Sequence, residues 1–462
     1  MKKFWIVLLA TALVAGFAMS ASAADVKFGG SYYVGGMYAD KPSLNADQST
    51  TPGVAGPQAF YYQRLRVETT FKVAEGLSLV TRFDALERRW GDNRWMGTED
   101  TYNRLGNVGV QIQENIEFER AYLDFTTKIG RFNIGYQNFI AFGTDFVNSN
   151  ITRAGIKYFV PVGPVLVIAA IEKGAGGDSN VGTNNGTAAD ADNQIYDLGA
   201  VYKFGAGDAG VIYQKGINKT TRPAANRYSD LNIFMAYARA KFGPVFVEAE
   251  GVMGIGDLRK FDSTAVGQTN VSGAAYGFYL HGKGDFGPAY VGGRFAYMSG
   301  DDRTTTDKVE GSLMTALKGG DAFNPTLIMW NTEYTKWAGD IVGNTAAGIN
   351  PFTGAPGGQN TYFDNAWFYQ VYGGFKPTAK ADIMMSLSYA YADKKPYVGA
   401  TPFLGDVYGT EIDLVGTYKI FDNLQYMMGA AYLFTGDLFK GINPNYRVND
   451  NFLLMHKLTL TF

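Results

Sequence analysis

The stretch that decides the fold lies at the end of the chain, where residues 451–462 read NFLLMHKLTLTF. Apolar side chains take one alternation: Phe452, Leu454, Leu458, Leu460 and Phe462. Polar side chains take the other: Lys457, Thr459 and Thr461. His456 is the one polar residue on the apolar side. Because successive side chains of a β-strand point to opposite faces, the stretch predicts a two-faced strand that ends on an aromatic residue.

The beginning of the chain carries the features of an export signal. Lys2 and Lys3 precede an apolar run over residues 4–17, and Ala21, Ser22 and Ala23 form a small-residue cleavage site. We therefore predict a signal peptide over residues 1–23 and a mature chain over residues 24–462. Beyond residue 23 the sequence has no run of about 18 apolar residues, so we expect no membrane-spanning helix.

Together, the export signal and the strand ending at Phe462 resemble the signature of Gram-negative outer-membrane barrels. In those barrels the final residue serves as an assembly signal. The resemblance implies a chain in the cell outer membrane, surrounded by lipid and lipopolysaccharide. It also implies recognition by the barrel-assembly machinery through the strand that ends at Phe462.

The composition fits a barrel better than a soluble protein. Aromatic residues make up 15% of the chain, yet the mean hydropathy is only −0.12. Alternation of lipid-facing apolar residues with polar lumen residues gives such a near-neutral average. The absence of Cys excludes disulfides, thiolate metal sites and c-type haem attachment, and we expect no cofactor. A net charge of −2 gives no reason to expect a nucleic-acid partner.

Eight short turn sequences predict the strand order. They lie near residues 74–76, 128–130, 162–164, 205–208, 243–244, 287–288, 377–379 and 422–423. Two strand-like runs and a longer polar loop separate consecutive turns. Short periplasmic turns and long extracellular loops are typical of outer-membrane barrels, so we predict an all-β, antiparallel transmembrane β-barrel of about 18 strands. Sixteen strands is the main alternative, and a soluble all-β repeat protein is another. The expected strand centres lie near Tyr32, Arg66, Arg82, Tyr122, Ile134, Ile156, Val167, Leu198, Ile212, Ala236, Val247, Phe278, Gly293, Val371, Leu387, Leu414, Ala430 and Leu458.

One predicted loop, residues 300–362, is much longer than the others. It begins with acidic residues and contains Phe323, Trp330, Tyr334 and Trp337. Counting residues 328–337 as a strand would make the strand number odd, so we place them in the loop. Long loops without their own secondary structure are usually functional or disordered. We expect an extracellular loop that folds into the pore mouth as a constriction, with a cap on the outer surface as the alternative.

Charged residues mark the predicted interior face, because a charge that faces lipid at mid-membrane costs roughly 2–4 kcal/mol. The predicted pore-lining residues are Arg64, Arg66, Glu68, Arg82, Asp84, Arg88, Arg131, Lys157, Glu248, Glu250, Arg294, Asp382, Glu411 and Asp413. The strands near Glu119 and Arg239 do not alternate cleanly, and bulges would explain this.

The arginines of the second and third strands form the sharpest group. Arg64, Arg66, Arg82 and Arg88 on one wall would attract anions. In the alternative reading they pair with Glu68, Asp84 and other acids and brace the wall. The acidic residues Glu248, Glu250, Asp382, Glu411 and Asp413 would set up a transverse field if they faced the arginines.

Catalysis is not expected. His281 and His456 are the only histidines, and no nucleophile or acid can be tied to either by sequence spacing.

The C-terminal hairpins, Tyr408 to Tyr418 and Leu424 to Asp437, look like the closing strands of the alginate-export family. The Arg64-x-Arg66 strand followed by a Glu-Gly turn resembles that family and its substrate-specific porin relatives. The resemblance implies an eighteen-stranded monomeric barrel with a basic lumen, and it carries Arg64, Arg66, Glu411 and Asp413 as lumen residues. We therefore expect an outer-membrane porin for passive diffusion of small hydrophilic solutes, with anions as one expected class. The alternative is a barrel sheath or adhesion scaffold that acts through a protein partner.

Overall fold

The computed structural model describes residues 25–40, 42, 44, 57–91, 116–139, 141–149, 151–174, 192–263, 267–311, 322–339, 341, 343 and 362–462. The predicted signal peptide, residues 1–23, lies outside the described residues. Among those that are described, no helix has the length and apolar character needed to cross a membrane.

The described chain forms one closed antiparallel β-barrel. Its strands are β1 (Asp25–Asp40), β2 (Gln58–Ala74), β3 (Leu77–Arg89), β4 (Glu117–Thr127), β5 (Gly130–Phe139), β6 (Ile151–Val162), β7 (Val165–Lys173), β8 (Asn193–Phe204), β9 (Gly207–Asn218), β10 (Arg227–Phe242), β11 (Val245–Phe261), β12 (Val271–Phe286), β13 (Ala289–Met298), β14 (Ala366–Thr378), β15 (Ala381–Ala392), β16 (Val407–Phe421), β17 (Leu424–Thr435) and β18 (Asn451–Thr461). Each strand pairs with the next along the chain, and β18 pairs with β1. The prediction of 18 strands is confirmed, since each predicted centre falls inside one strand.

Several short strands and helices lie at the loop end of the barrel. Two-residue strand Lys308–Val309 pairs in parallel with β12, and Tyr397–Val398 forms a small hairpin with Thr401–Pro402. The described part of the chain also contains the helices α1 (Arg222–Ala225) and α2 (Thr332–Ala338), and Asp437–Lys440 forms a 3₁₀ turn. Residues 328–337 therefore lie outside the barrel strands.

All eight predicted turns connect neighbouring strands through two residues. Three of them place Gly before Pro. Gly163, Gly243 and Gly287 have φ values of 60°, 57° and 65°. A type II′ hairpin turn needs a positive φ at its first central residue, and the fixed φ of Pro suits its second. The sequence Gly-Pro therefore fixes the register of three hairpins.

The first and last strands close the barrel. Ser31 of β1 lies opposite Thr461 of β18, and Asp40 lies opposite Phe452. Gly30 and Phe462 exchange both backbone hydrogen bonds, at 2.8 and 3.1 Å. A Cβ atom on Gly30 would lie 2.9 Å from the Phe462 ring and 2.2 Å from the Arg66 carbonyl oxygen. Glycine at position 30 therefore lets the terminal ring pack directly on the closing strand.

The two faces of the barrel differ in polarity. The outer face carries exposed apolar side chains such as Phe278, Leu387 and Leu414. His456 lies on this face between the rings of Tyr61 and Tyr426, at 5.8 and 5.9 Å. The inner face carries the charged residues, and its loop-end half encloses a cluster of buried apolar side chains. Alternation along each strand produces both faces.

Candidate functional site: the barrel lumen

Arginines and carboxylates of β2, β3 and β4 form a paired cluster on the interior wall. Arg66 binds Asp84 at 2.6 Å and Glu119 at 3.0 Å, and Arg82 forms a salt bridge with the same Glu119. Arg64 lies 3.3 Å from Glu87, and Arg120 lies 3.6 Å from Glu68. We call these four arginines and four carboxylates the arginine cluster. The formal charges of these eight groups cancel, so the cluster braces the wall as well as lining it.

A β-bulge places Glu119 in this cluster. The register between β3 and β4 shifts after Arg82, which leaves Glu119 as an extra residue whose carboxylate reaches the interior arginines. A bulge near Glu119 was expected from its broken alternation. Near Arg239 the register is regular on both sides, so the bulge expected there is absent from β10.

The predicted interior position of Arg88 is wrong. Arg88 lies opposite Gln63, on the face that carries Tyr61 and the ring of Trp90 that stacks on it. Leu86 has a φ of 56°, and the register between β2 and β3 shifts at this point. Because one extra residue reverses the alternation that follows, Glu87 takes the interior place instead.

A segment of the long loop lies inside the barrel. We call residues 322–339 the strap. Glu411 is fully buried on β16, and its carboxylate accepts backbone N–H groups of the strap from Leu327, Ile328 and Met329, at 3.1, 2.7 and 2.9 Å. Next to it, Asp413 accepts from Ser386 Oγ at 2.8 Å and from the Leu327 N–H of the strap at 3.4 Å. These two predicted lumen residues therefore hold the strap and do not face open solvent.

The other end of the strap contacts β18, where the barrel closes, and the strands β2 and β3 beyond it. Trp337 stacks on Tyr62 of β2, with ring centroids 4.7 Å apart. Glu333 accepts a hydrogen bond from Tyr62 Oη at 2.8 Å and forms a salt bridge with Lys457 of β18 at 2.5 Å. Lys336 binds Glu87 of the arginine cluster at 2.5 Å. The strap thus lines the wall from β14 through β18 to β3.

A second inserted segment, residues 141–149, follows β5. Thr144 donates its backbone N–H and its hydroxyl to Glu250 of β11, at 3.0 and 2.5 Å. Phe146 stacks on Tyr279 of β12 at 5.4 Å and meets Phe323 of the strap at 5.5 Å. The two inserted segments therefore touch each other inside the barrel.

The segment 141–149 was not identified from the sequence. Its signal was present, because Phe142, Phe146 and Val147 are apolar residues in a connection between two strands. Apolar side chains in a loop need a surface to pack on, and here they find the interior of β10–β12.

The remaining predicted lumen residues lie on other parts of the interior wall. Glu248 contacts His281 Nδ1 at 2.8 Å, and His281 Nε2 lies 2.7 Å from Tyr372 Oη. Asp382 accepts from Tyr290 Oη at 2.8 Å, and Arg131 binds Asp124 at 2.7 Å near the turn end. Lys157 donates to the carbonyl of Asn138, and Arg294 donates to Gln370.

The predicted acidic set does not form one face opposite the arginines. Glu411 and Asp413 lie under the strap, and Glu250, which is 1% exposed, lies under segment 141–149. Asp145, which sequence reasoning did not select, is exposed on that segment instead. The surrounding protein removes part of the water around the Asp145 carboxyl, and this desolvation, together with the negative charge of Glu248, raises its pKa. The positive charges of Arg294 and Arg239 oppose the increase. Within the described residues no cluster of His, Cys, Asp or Glu could hold a metal ion.

Comparison with known proteins assigns the chain to a family. Residues 8–318 match the family model described as Gram-negative porin. The match covers more than half of the chain, which therefore belongs to the Gram-negative porin family. No curated protein matches the chain.

Solved structures share the fold over nearly the whole chain. OccAB2 from Acinetobacter baumannii has a TM-score of 0.52 and 12% identity, over 94% of this chain and 98% of that one. OccK8 (OprE) from Pseudomonas aeruginosa has a TM-score of 0.52 and 11% identity, over 95% and 98%. At such identities the likeness establishes the fold alone. Family and fold together define an outer-membrane channel rather than an enzyme, so the prediction of a Gram-negative porin in the outer membrane is confirmed.

Proposed function

We propose that the protein is a passive porin for small hydrophilic solutes whose path runs along the arginine cluster, next to the end of the strap that reaches β2 and β3. One observation carries the proposal. The strap and segment 141–149 touch each other inside the barrel, and together they contact the interior wall from β10 through β18 to β2 and β3. Next to the strap residue Lys336, which binds Glu87, the side chains of Arg64 and Arg66 remain 21% and 23% exposed.

This arrangement suits polar solutes. Paired guanidinium and carboxylate groups present donors and acceptors side by side, so a hydrated solute can exchange water for protein hydrogen bonds. The inserted segments narrow the lumen without covering the wall that carries the arginine cluster. In this proposal residues 300–362 act as an extracellular loop whose strap forms a constriction.

Single-channel recording in a planar bilayer tests the proposal. Purified protein should give stepwise ionic conductance without any added protein. Liposome swelling with small sugars should show a rate that falls as the sugar becomes larger. Absence of conductance until a second protein is added would contradict the porin and favour the barrel sheath.

Preference for anions stays a prediction. Arg64, Arg66 and Arg82 lie together, but each is matched by a carboxylate. A balanced cluster gives a transverse dipole instead of a net positive potential. Reversal potentials in a salt gradient measure the preference directly.

A further inference from the structure

A basic cleft lies at the loop end of β9–β12, next to the segment that follows β13. Its volume is about 740 Å³, a size typical of sites for small organic ligands. Apolar side chains of Leu258 and Val309 form part of its lining, beside hydroxyl groups such as that of Ser229. Four cationic side chains also line it: Arg227, Arg259, Arg303 and Lys308. Asp301 is the only carboxylate among the lining residues.

Ion pairing separates two of these cations from the rest. Arg303 binds Asp301 at 3.0 Å, and Lys308 binds Glu310 at 3.1 Å. Arg227 and Arg259 form no ion pair with the residues that the structure describes. Arg259 donates its Nε to the carbonyl of Thr269 at 3.1 Å, and its two Nη groups form no further hydrogen bond within that part of the chain.

Other described cationic side chains at this loop end do form ion pairs, so the absence of an ion pair is specific to Arg227 and Arg259. Arg222 binds Asp262 at 2.9 Å, and Lys260 binds Asp257 at 3.0 Å. Among the described residues, Arg227 and Arg259 line the cleft without an ion-paired carboxylate.

Strand register brings these two arginines to the same face. Arg227 lies opposite Phe261, and Arg259 lies opposite Val271. Because residues two apart on a strand share a face, Arg259 and Phe261 point the same way, and so does Arg227. The two guanidinium groups are therefore diagonal neighbours with Cα atoms roughly 7–8 Å apart, where like charges repel. An anion bound between them would relieve the repulsion.

We propose that this cleft captures a small organic anion, a sugar-like solute with a phosphate or carboxylate group, at the mouth of the pore. Guanidinium groups bind both anions through paired N–H donors. Hydroxyls and apolar side chains of the lining contact the uncharged part of the molecule. The same chemistry occurs in free solutes and in the sugar-phosphate headgroup of lipopolysaccharide. As a substrate assignment the inference rests on the proposed porin function, although binding itself does not.

Calorimetric titration of refolded full-length protein, free of lipopolysaccharide, tests the cleft with glucose 6-phosphate and glucuronate. We expect both to bind, with glucose at least about tenfold weaker because it lacks the charge. Arg227→Gln combined with Arg259→Gln should weaken anion binding about tenfold or more. Each single variant should give an intermediate loss, which keeps the test valid if the double variant folds poorly. Arg222→Gln, whose residue is paired with Asp262 outside the cleft lining, is the matched control and should bind normally.

Competition separates the two sources of ligand. Displacement of glucose 6-phosphate by purified lipopolysaccharide assigns the cleft to the lipid headgroup, and lack of displacement assigns it to a free solute. Equal binding of glucose, or equal losses in Arg222→Gln and the double variant, would overturn the inference. Conductance of the same samples reports on the porin separately, because a closed channel can still bind anions and an open one can lack the cleft.

Discussion

At the residue scale, the role of a charged side chain in the lumen depends on whether it has a partner of opposite charge. Arg66 meets Asp84 and Glu119, whereas Arg227 meets no carboxylate in the described structure. Both residues are arginines on the interior side of a strand, so their type alone does not distinguish a wall brace from a binding group. The difference comes from the register, which puts an acid opposite one and an apolar residue opposite the other.

Replacing Arg64, Arg66 and Arg82 with Gln should shift ion preference toward cations. The substitutions keep hydrogen bonding but leave Asp84, Glu87 and Glu119 without their guanidinium partners. Reversal potentials in a KCl gradient should move most at low salt and little near 1 M, where the Debye length is about 3 Å. A control with Lys72, Lys128 and Lys380 changed to Gln removes the same charge at the turn end. An unchanged potential at low salt would show that these groups lie outside the conduction path.

The Asp145 carboxyl should make ion preference depend on pH. Its raised pKa means that it gains its charge at a higher pH than an ordinary aspartate. The preference for cations should therefore increase as pH rises through that raised pKa, and Asp145→Asn should lack this step. The folded state also binds the proton more tightly than the unfolded state. Hence the contribution of Asp145 to the free energy of unfolding falls as pH rises between the unfolded and folded pKa values, and a thermal unfolding series over pH measures it.

At the element scale, the first half of the strap is held through its backbone N–H groups, whereas its second half is held through side chains such as Trp337. Three consecutive N–H groups point at Glu411, and Asn331 caps α2 by accepting from the Tyr334 N–H at 2.8 Å. A buried carboxylate that accepts several N–H groups satisfies donors that would otherwise be costly to bury.

Replacing Glu411 with Gln should loosen the strap. The amide offers one acceptor oxygen and brings an NH₂ group among N–H donors, which costs roughly 1–3 kcal/mol for each donor left unpaired. We expect larger unitary conductance or more frequent current fluctuations, with the barrel still heat-modifiable on gels. Deleting residues 319–348 should raise conductance further. Glu75→Gln serves as the control, because Glu75 is exposed in the turn between β2 and β3, away from the strap. Equal conductance in all four proteins would place the strap outside the solute path.

Strands and turns could be predicted from the sequence, but contacts inside the barrel could not. Alternation and Gly-Pro turns are local, so residues such as Leu414 and Gly243 reveal their place without a partner. Arg88 was misplaced because nothing in the sequence marks Leu86 as a residue with a positive φ, so the bulge that reverses the alternation could not be predicted. Glu411 was predicted from alternation to line the pore, but its burial depends on a strap 82 to 84 residues earlier in the chain. Such pairings are long-range, and no periodicity reports them.

At the scale of the whole molecule, closure depends on a few contacts between the two ends of the sheet. β1 pairs with β2 on one side and with β18 on the other, so its register sets the barrel circumference. An unclosed barrel would expose unpaired N–H and C=O groups to lipid, where each costs several kcal/mol. Closure therefore has to be complete before the protein is stable in the membrane.

Deleting Phe462 should lower the amount of folded barrel in the outer membrane. The deletion removes two backbone hydrogen bonds with Gly30 and the ring that covers it. It also removes the aromatic terminus that we expect the barrel-assembly machinery to recognise. Phe462→Tyr keeps the ring and the backbone pair and should assemble normally, whereas Phe462→Ala keeps only the backbone pair. If assembly depends on the ring, the alanine variant should resemble the deletion, and if it depends on the hydrogen bonds, it should resemble the parent. Heat-modifiability of membrane fractions on gels measures the folded yield, and an unchanged yield in the deletion would show that closure does not need residue 462.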